Sequence, residues 1–353
     1  MSVFDSPAFE SHEAVHAFHD AATGLKAIIA IHSTARGPAA GGCRMWPYPS
    51  DQAAIDDALR LSRAMSYKNA VADLDLGGGK SVIIGDSRTE KTPALFEAFG
   101  AAVEAVGGRY WTAEDVGVSP ADLAASRRRT RFVAGLEGHP AASGDPSPIT
   151  AEGIFRGIAL CVRRAMQRDL EGVTVALQGV GHVGSILAGK LHAAGARLII
   201  TDVDEAALSA VARRTGAEIV PPGAIFDVEA DVFAPCAMGG AISVETLARL
   251  RPRIIAGGAN NQLATPEAGQ ALYEKGLLYA PDYVINGGGI INVAAEIRAL
   301  EAGEAFDPSW VEAKLERLMG TLDEILGRSL AEARPTHAVA NEIARARIAG
   351  GRG

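Results

Sequence analysis

The sequence predicts an α/β fold in two domains, the second a doubly wound parallel sheet, and three observations carry that expectation. The chain has 353 residues, enough for two ordinary cores. From Val173 onward, short β-branched runs alternate with amphipathic stretches. A complete glycine loop stands at one of the strand-to-helix junctions.

In chain order, Ile55, Ala58, Leu59, Ser62 and Met65 recur at helical spacing after Asp51 and predict an amphipathic helix leading to Tyr67 and Lys68. Ser81–Ile84 reads as a short strand. A second helix is expected over Pro93–Val106, with Thr92 as N-cap, Pro93 in the first turn and Gly107-Gly108 as its stop. Arg109–Thr112 follows as a strand. Turn formers fill the stretch from Gly135 to Pro148, and a new helix opens near Thr150. The boundary is therefore expected near residue 134. This gives a catalytic domain over 1–134, a nucleotide domain over 135–330 and a helical tail over 331–353, for which the first domain is the candidate packing partner. Strands are predicted at Val173–Gln178, Arg197–Thr201, Val232–Ala234, Arg253–Ala256 and Tyr283–Ile285, and helices at Val183–Ala194 and Glu205–Thr215. From Trp310 onward the sequence reads as helices, ending in a flexible Gly-Gly-Arg-Gly.

Composition removes several classes of function. With 42 Asp+Glu against 34 Lys+Arg and a net charge of −8, the chain lacks the basic footprint of a nucleic-acid binder. No run of apolar residues is long enough to span a membrane, and Met1–Glu13 lacks the basic-then-apolar order of a signal peptide. Cys43, Cys161 and Cys236 are too few and too scattered for a disulfide framework or a zinc site, so no metal is expected and a reducing cytoplasm fits.

Gly179-Val180-Gly181-His182-Val183-Gly184 is a G-x-G-x-x-G between a predicted strand and a predicted helix. The first glycine allows the tight turn, the second lets backbone approach a pyrophosphate, and the third permits close helix–strand packing. Asp202, followed by Val203, ends the next strand where a carboxylate accepts both ribose hydroxyls of an adenosine and repels a 2′-phosphate. This favours NAD over NADP on a Rossmann-type domain. Methyltransferases share much of the pattern, so the first half of the chain has to decide. His182 occupies an unrestricted loop position and is given no catalytic role.

In that half, Lys68 and Lys80 frame a mostly uncharged stretch ending in Gly77-Gly78-Gly79, whose glycines admit close approach to a small ligand. Two solvated surface lysines are the ordinary alternative. A functional Lys80 needs surroundings dry enough, or a neighbouring cation such as Lys68, for its amine to release a proton near neutral pH. Asp115 follows a predicted strand, where it either serves chemistry or, like Glu114, caps the next helix. Arg36–Arg44 reads as a second glycine turn, either a pocket wall apolar at Ala39 and Ala40 or an ordinary loop.

The strings Gly37-Pro-Ala-Ala-Gly-Gly-Cys-Arg44, Tyr67-Lys-Asn69, Leu76-Gly-Gly-Gly-Lys80, Thr112-Ala-Glu-Asp-Val-Gly117, Ala259-Asn-Asn-Gln262 and Ala280-Pro-Asp-Tyr-Val-Ile-Asn286 together resemble the amino-acid dehydrogenases for glutamate, leucine, valine and phenylalanine, over roughly residues 10 to 345. Among these they are most similar to the leucine-specific members. The resemblance implies reversible oxidative deamination: an L-amino acid, NAD and water give a 2-oxo acid, ammonia and NADH. It implies that Lys68 binds the substrate carboxylate, that Lys80 is the general base for the attacking water, and that Asp115 relays protons to and from the amino group. It also implies that Asn260 holds nicotinamide and substrate, and that Thr150, Cys236 and Ala237 lie along the cofactor. A silent NAD-binding regulator on the same fold is the competing class. Loss of Lys68, Lys80 or Asp115 would mark it, and all three are present.

By the same resemblance, the side-chain pocket comprises Ala40, Gly41, Met65, Ala113, Ile290 and Val293. Glutamate dehydrogenases carry at the position of Ala40 a lysine for the substrate's second carboxylate, and an unpaired buried carboxylate is costly, so glutamate is disfavoured. Leucine, isoleucine or valine comes first, because Ala113 and Val293 resemble the leucine-specific members, with phenylalanine the alternative. Ala40 enlarges the pocket while Ile290 narrows it, and a methylene worth only about 1–3 kcal/mol does not order these substrates. The family also implies a mobile cleft, for which Gly287-Gly-Gly289 is a candidate hinge or pocket edge. A homo-oligomer, dimer or higher, completes the expectation.

Overall fold

The computed structural model describes residues 3–237 and 239–351. The chain forms two compact units, one of Met1–Asp145, Ile290–Val311 and Ala344–Gly353, the other of Pro146–Gly289 and Glu312–Ile343.

The first unit is built on β1 (Ala14–Asp20), β2 (Leu25–Ser33), β3 (Ala39–Trp46), β4 (Gly77–Ile84) and β5 (Tyr110–Glu114), in the order β1-β2-β4-β3-β5. Strand β2 runs antiparallel to β1 and β4, while β3 runs parallel to β4 and β5. Its helices are α1 (Asp51–Val71), α2 (Pro93–Ala105) and α3 (Pro120–Arg127). Ser50 opens α1 by accepting the N–H of Ala53. One stripe of that helix, Ala54, Ala58 and Leu59, packs with Ile28, Ala30 and Val82 from the sheet. Gly77 through Ile83 are all buried, so β4 is a central strand with no water on either face.

The second unit alternates helix and strand: α4 (Ser147–Met166), β6 (Thr174–Gln178), α5 (His182–Ala193), β7 (Arg197–Thr201), α6 (Glu205–Thr215), β8 (Glu218–Ile219), β9 (Val232–Pro235), α7 (Val244–Arg249), β10 (Ile254–Ile255), α8 (Pro266–Glu274), β11 (Leu278–Tyr279) and α9 (Asp282–Ile285). Its six strands are all parallel, in the order β8-β7-β6-β9-β10-β11. The order reverses between β6 and β9, where doubly wound sheets open a crevice for ligands beyond their carboxyl ends. Three more helices follow: α10 (Gly288–Ala302), α11 (Pro308–Ala331) and α12 (Thr336–Ala349).

Several elements differ from the sequence-based expectation. The break between units falls at Asp145/Pro146 rather than near 134, because the turn-rich segment is tied to the first unit. There the fully buried Glu296 of α10 accepts the N–H groups of Gly135, Leu136 and Ser143 at 3.0, 3.1 and 3.2 Å and the Ser143 hydroxyl at 2.6 Å. Tyr283–Ile285 is helical, not a strand; the last strand is Leu278–Tyr279, and Pro281 precedes the helix. The presumed turn over Arg36–Arg44 becomes strand β3 from Ala39 onward. Gly287-Gly-Gly289 is not an open turn: α10 begins at Gly288, a Cβ there would lie 2.3 Å from the Ile149 carbonyl oxygen, and the chain passes from the second unit to the first between Gly289 and Ile290. In the terminal Gly-Gly-Arg-Gly, Arg36 Nη1 donates to Gly351 O at 3.1 Å, while Arg352 and Gly353 lie outside the described residues. Ala344–Gly353 belongs to the first unit, where Arg347 Nη1 donates to the last carbonyls of α1, those of Ala70 and Val71, at 3.1 and 2.9 Å.

Candidate active site

Lys80 lies in the middle of β4, opposite Ala30 of β2, and is only 6% exposed. A lysine this deep in a sheet needs a partner for its charge. It has one in Asp115, which directly follows β5: Lys80 Nζ donates to Asp115 Oδ2 at 2.5 Å. Arg44, on β3, donates from Nε to the same oxygen at 3.1 Å. Burial raises the Asp115 carboxyl, but the charges of Lys80 and then Arg44 outweigh it and hold the group below the ordinary carboxylate range. The sequence reading allowed desolvation or a neighbouring cation such as Lys68 beside Lys80; the contact found is with this carboxylate.

The glycines around the pair bring four elements together. A Cβ on Gly78 would meet Ser66 N of α1 at 2.1 Å, one on Gly41 would meet Met65 Cγ at 3.1 Å, and one on Gly42 would meet Asp115 Cβ at 2.8 Å. The last turns of α1, strands β3 and β4, and the end of β5 therefore close on one place. Lys68 stands half-buried in the last turn of α1, and the next residue, Asn69, donates from Nδ2 to Gly77 O at 2.5 Å. Ala40 and Ala113 are buried on β3 and β5, 1% and 6% exposed, and the Tyr110 hydroxyl donates to Gly41 O at 2.6 Å. Ile290 is buried and Val293 half-buried on α10 in the same unit. The reading of Gly77–Gly79 as room for a ligand is corrected: a Cβ on Gly77 would strike Ser33 O at 2.0 Å and one on Gly79 the Tyr110 ring at 2.7 Å. That space is already filled by protein.

Sequence reasoning missed what stands behind Asp115. Arg44 Nη1 donates to Asp57 Oδ2 at 3.0 Å, the Tyr48 hydroxyl donates to the same oxygen at 2.7 Å, and Arg60 Nη2 donates to Asp57 Oδ1 at 2.6 Å. The sequence contained Arg44 at the end of its Gly-Gly-Cys-Arg string, but nothing local marks Asp57 as its partner.

In the second unit the glycine loop joins β6 to α5. Gly179 has φ +97°, and a Cβ there would lie 2.7 Å from Ala237 N, at the crevice between β6 and β9. A Cβ on Gly184 would lie 2.1 Å from Gly179 O, whereas one on Gly181 would meet nothing within 4 Å. Gly181 is the N-cap of α5 and provides no side-chain cap, so the first turn of the helix, from His182 and Val183, presents its N–H groups to that space. Val180 N donates to Asp202 Oδ2 at 2.6 Å and Asp204 N to Asp202 Oδ1 at 3.0 Å. Burial raises the Asp202 carboxyl, yet these backbone donors prevail and keep it below its usual range. The exposed Val203 follows it. Cys236 and Ala237 directly follow β9 beside the loop, with Cys236 N donating to Gln178 O at 2.7 Å. Asn260 Oδ1 accepts Asn286 Nδ2 at 2.7 Å, and Thr150 Oγ1 donates to Pro146 O at 2.9 Å within the first turn of α4. An anionic pyrophosphate fits the open side of Gly181 and the uncapped helix end, and Asp202 is fixed where a ribose would meet it. Among the described residues, no group of three or more His, Cys, Asp or Glu side chains is placed to hold a metal. No helix among them is long and apolar enough to cross a membrane.

Two family models match the chain: the Glu/Leu/Phe/Val dehydrogenase dimerisation domain over residues 11–131, and the glutamate/leucine/phenylalanine/valine dehydrogenase model over residues 200–350. A leucine dehydrogenase of Geobacillus stearothermophilus is 44% identical over 349 residues, covering 99% of this chain and 94% of that protein. A phenylalanine dehydrogenase of Bacillus thermotolerans is 46% identical over 292 residues, 81% of this chain and 76% of its own length. The solved structure of L-tryptophan dehydrogenase from Nostoc punctiforme matches with a TM-score of 0.84 at 39% identity, covering 96% of both chains.

Proposed function

The chain belongs to the Glu/Leu/Phe/Val dehydrogenase family, and from that premise we propose that it catalyses the reversible, NAD-dependent oxidative deamination of an apolar L-amino acid, with leucine, isoleucine or valine as substrate. The observation that carries this reading is the buried Lys80–Asp115 pair, a base and a proton carrier 2.5 Å apart, one on the central strand β4 and the other just past the end of β5, with β3 between them. When bound along the glycine loop and Asp202, NAD would supply the acceptor for the hydride of the α-carbon. Lys68 holds the substrate carboxylate by its charge. Lys80 takes a proton from the water that adds to the iminium carbon, and Asp115 carries a proton to the departing amine. Water and iminium thus become 2-oxo acid and ammonium, the proton passing between Lys80 and Asp115, which are in contact.

The apolar substrate follows from Ala40, Gly41, Met65, Ala113, Ile290 and Val293, none of which can pair a second carboxylate. NAD rather than NADP follows from Asp202, whose fixed negative charge repels a 2′-phosphate. An aromatic substrate is the second reading, supported by the small Ala40 and by the phenylalanine and tryptophan dehydrogenases among the relatives. The match of residues 11–131 to a model described as a dimerisation domain supports a homo-oligomer. Three free cysteines suit a reducing cytoplasm.

Absorbance at 340 nm with NAD or NADP and a panel of leucine, isoleucine, valine, phenylalanine and glutamate tests both class and substrate. The expected order is branched-chain first, phenylalanine next and glutamate inactive, with NAD preferred. Lys80→Ala is expected to lower turnover by about 10²–10⁴ while NADH still binds; unchanged turnover in that variant removes the mechanism.

A further inference from the structure

We propose that Arg44 is a positioning residue for the deamination, fixing the Asp115 carboxylate on Lys80, and that Asp57 and Tyr48 aim Arg44 in turn. Arg44 has this role only if Asp115 moves protons as proposed above. Its guanidinium is a fork between two carboxylates: Nε on Asp115 Oδ2 at 3.1 Å and Nη1 on Asp57 Oδ2 at 3.0 Å, with the side chains of Arg44, Asp115 and Asp57 only 23%, 22% and 16% exposed. The Tyr48 hydroxyl, 2.7 Å from that Asp57 oxygen, and Arg60 on the other one leave Asp57 little freedom to turn. A planar fork tied at both ends has one orientation.

The geometry solves a problem in the chemistry. Lys80 and Arg44 donate to the same oxygen of Asp115. To act as a base Lys80 must first be a neutral amine, and while it is neutral a partly buried carboxylate with no other partner would turn away or take up a proton. Arg44 stays charged throughout the working range. It therefore keeps Asp115 ionised and in place during the step in which Lys80 is neutral. The other groups around Asp115 do not replace it: Asp57 and Glu114 are acidic, and Asp122 of α3 is paired with Lys91 at 2.5 Å. Burial pushes the Cys43 thiol and the Tyr48 and Tyr110 hydroxyls up so that they stay neutral, and Lys68 in the last turn of α1 is assigned to the substrate carboxylate.

The test is the pH dependence of kcat/KM for Arg44→Met and Arg44→Lys beside the parent enzyme. Asp115 is depressed by its neighbours, so removing Arg44 lets it protonate at higher pH, and the acid limb is expected to move up by about one pH unit in Arg44→Met. Arg44→Lys keeps the charge but cannot hold both carboxylates, so its limb moves less than half as far, at reduced kcat. If Arg44→Met does not fold, the upward limb of Arg44→Lys carries the test. An acid limb at the parental pH in the folded variants, with the rate lowered equally at every pH, overturns the proposal, since a merely structural role has that signature. Carboxyl ¹³C titration of Asp115, assigned with Asp115→Asn, separates the two levels. An upward titration with an unmoved kinetic limb leaves Arg44's hold intact and removes Asp115 from the proton path. If neither moves, Arg44 has no such role.

Discussion

Gly77–Gly79 in the first unit and Gly179–Gly184 in the second are glycine clusters of similar look at the approach to a proposed site, yet the structure uses them in opposite ways. Every glycine of the first cluster makes room for protein: a Cβ would meet Ser33 O at 2.0 Å, Ser66 N at 2.1 Å and the Tyr110 ring at 2.7 Å. In the second cluster Gly179 and Gly184 do the same, but Gly181 faces open space. Composition does not separate a glycine that lets a helix lie on a strand from one that leaves a helix end bare for a ligand. What a Cβ would touch does separate them. Before Lys80, Gly78 lets α1 lie on the sheet while Gly77 and Gly79 make room for Ser33 and Tyr110; at Gly181 the missing side chain leaves the helix N-terminus reachable.

The largest effect expected from this contrast is at Gly78. In Gly78→Ala the new methyl collides with backbone on α1, which cannot rotate aside, so helix and strand must part. Overpacking of this kind is expected to cost about 3 kcal/mol or more, which lowers Tm by roughly 6–12 °C for a unit of this size. Thermal unfolding reads it directly. A variant that melts with the parent protein breaks the self-packing account of the first cluster.

How much of this could be read beforehand follows the same line. The second unit was legible because its signals are local: the runs of β6 and β7, the loop between β6 and α5, and the carboxylate after β7 lie in sequence order. The first unit was legible in part: α1, α2 with Thr92 as its cap, and strands within β4 and β5 were foreseen, but β1 to β3 were not. Strand β2 offers a short apolar run, Ala27–Ile31, of a length that periodicity alone does not assign, and β3 hides behind Ala39-Ala-Gly-Gly42, poor strand formers kept extended by parallel pairing with β4 and β5. At Tyr283–Ile285 the error ran the other way: β-branched residues suggested a strand, but Pro281 and the bond from Gln262 N to Asp282 Oδ2 at 2.9 Å hold the segment in a helical turn. Lys80 and Asp115 could be singled out by the strings around them. Their contact, and Arg44 with its second carboxylate, depend on pairings of residues far apart in sequence that no spacing rule reports.

A smaller and more selective effect is expected at Gly181. Its φ of −64° is open to any residue and its Cβ would touch nothing, so Gly181→Ala is expected to fold and to lose only about 0.5–1 kcal/mol, because alanine is a poorer N-cap than glycine. The methyl does occupy the space assigned to the pyrophosphate. NADH affinity, followed by fluorescence titration, is expected to fall about tenfold, equivalent to about 1.4 kcal/mol. Near-parental stability with weakened NADH binding sharpens the distinction between the clusters; unchanged binding means that the open side of Gly181 is not where the phosphates lie.

Gly189 sets the lower bound. It lies two turns further along α5, half-exposed, at ordinary negative φ, with nothing within 4 Å of a would-be Cβ. Neither use of glycine applies there, and only the intrinsic cost of a flexible residue in a helix interior remains. Gly189→Ala is accordingly expected to stabilise the protein by about 0.5–1 kcal/mol, chiefly by restricting the unfolded chain. In a unit of this size that raises Tm by roughly 1–4 °C. NADH binding should stay at the parental value, because the residue is outside the first turn that faces the loop. A fall in Tm means a neighbour is nearer than the open surface implies. A change in NADH affinity without one means the α5 terminus responds to substitutions along its whole length, and the Gly181 result would then lose its specific reading.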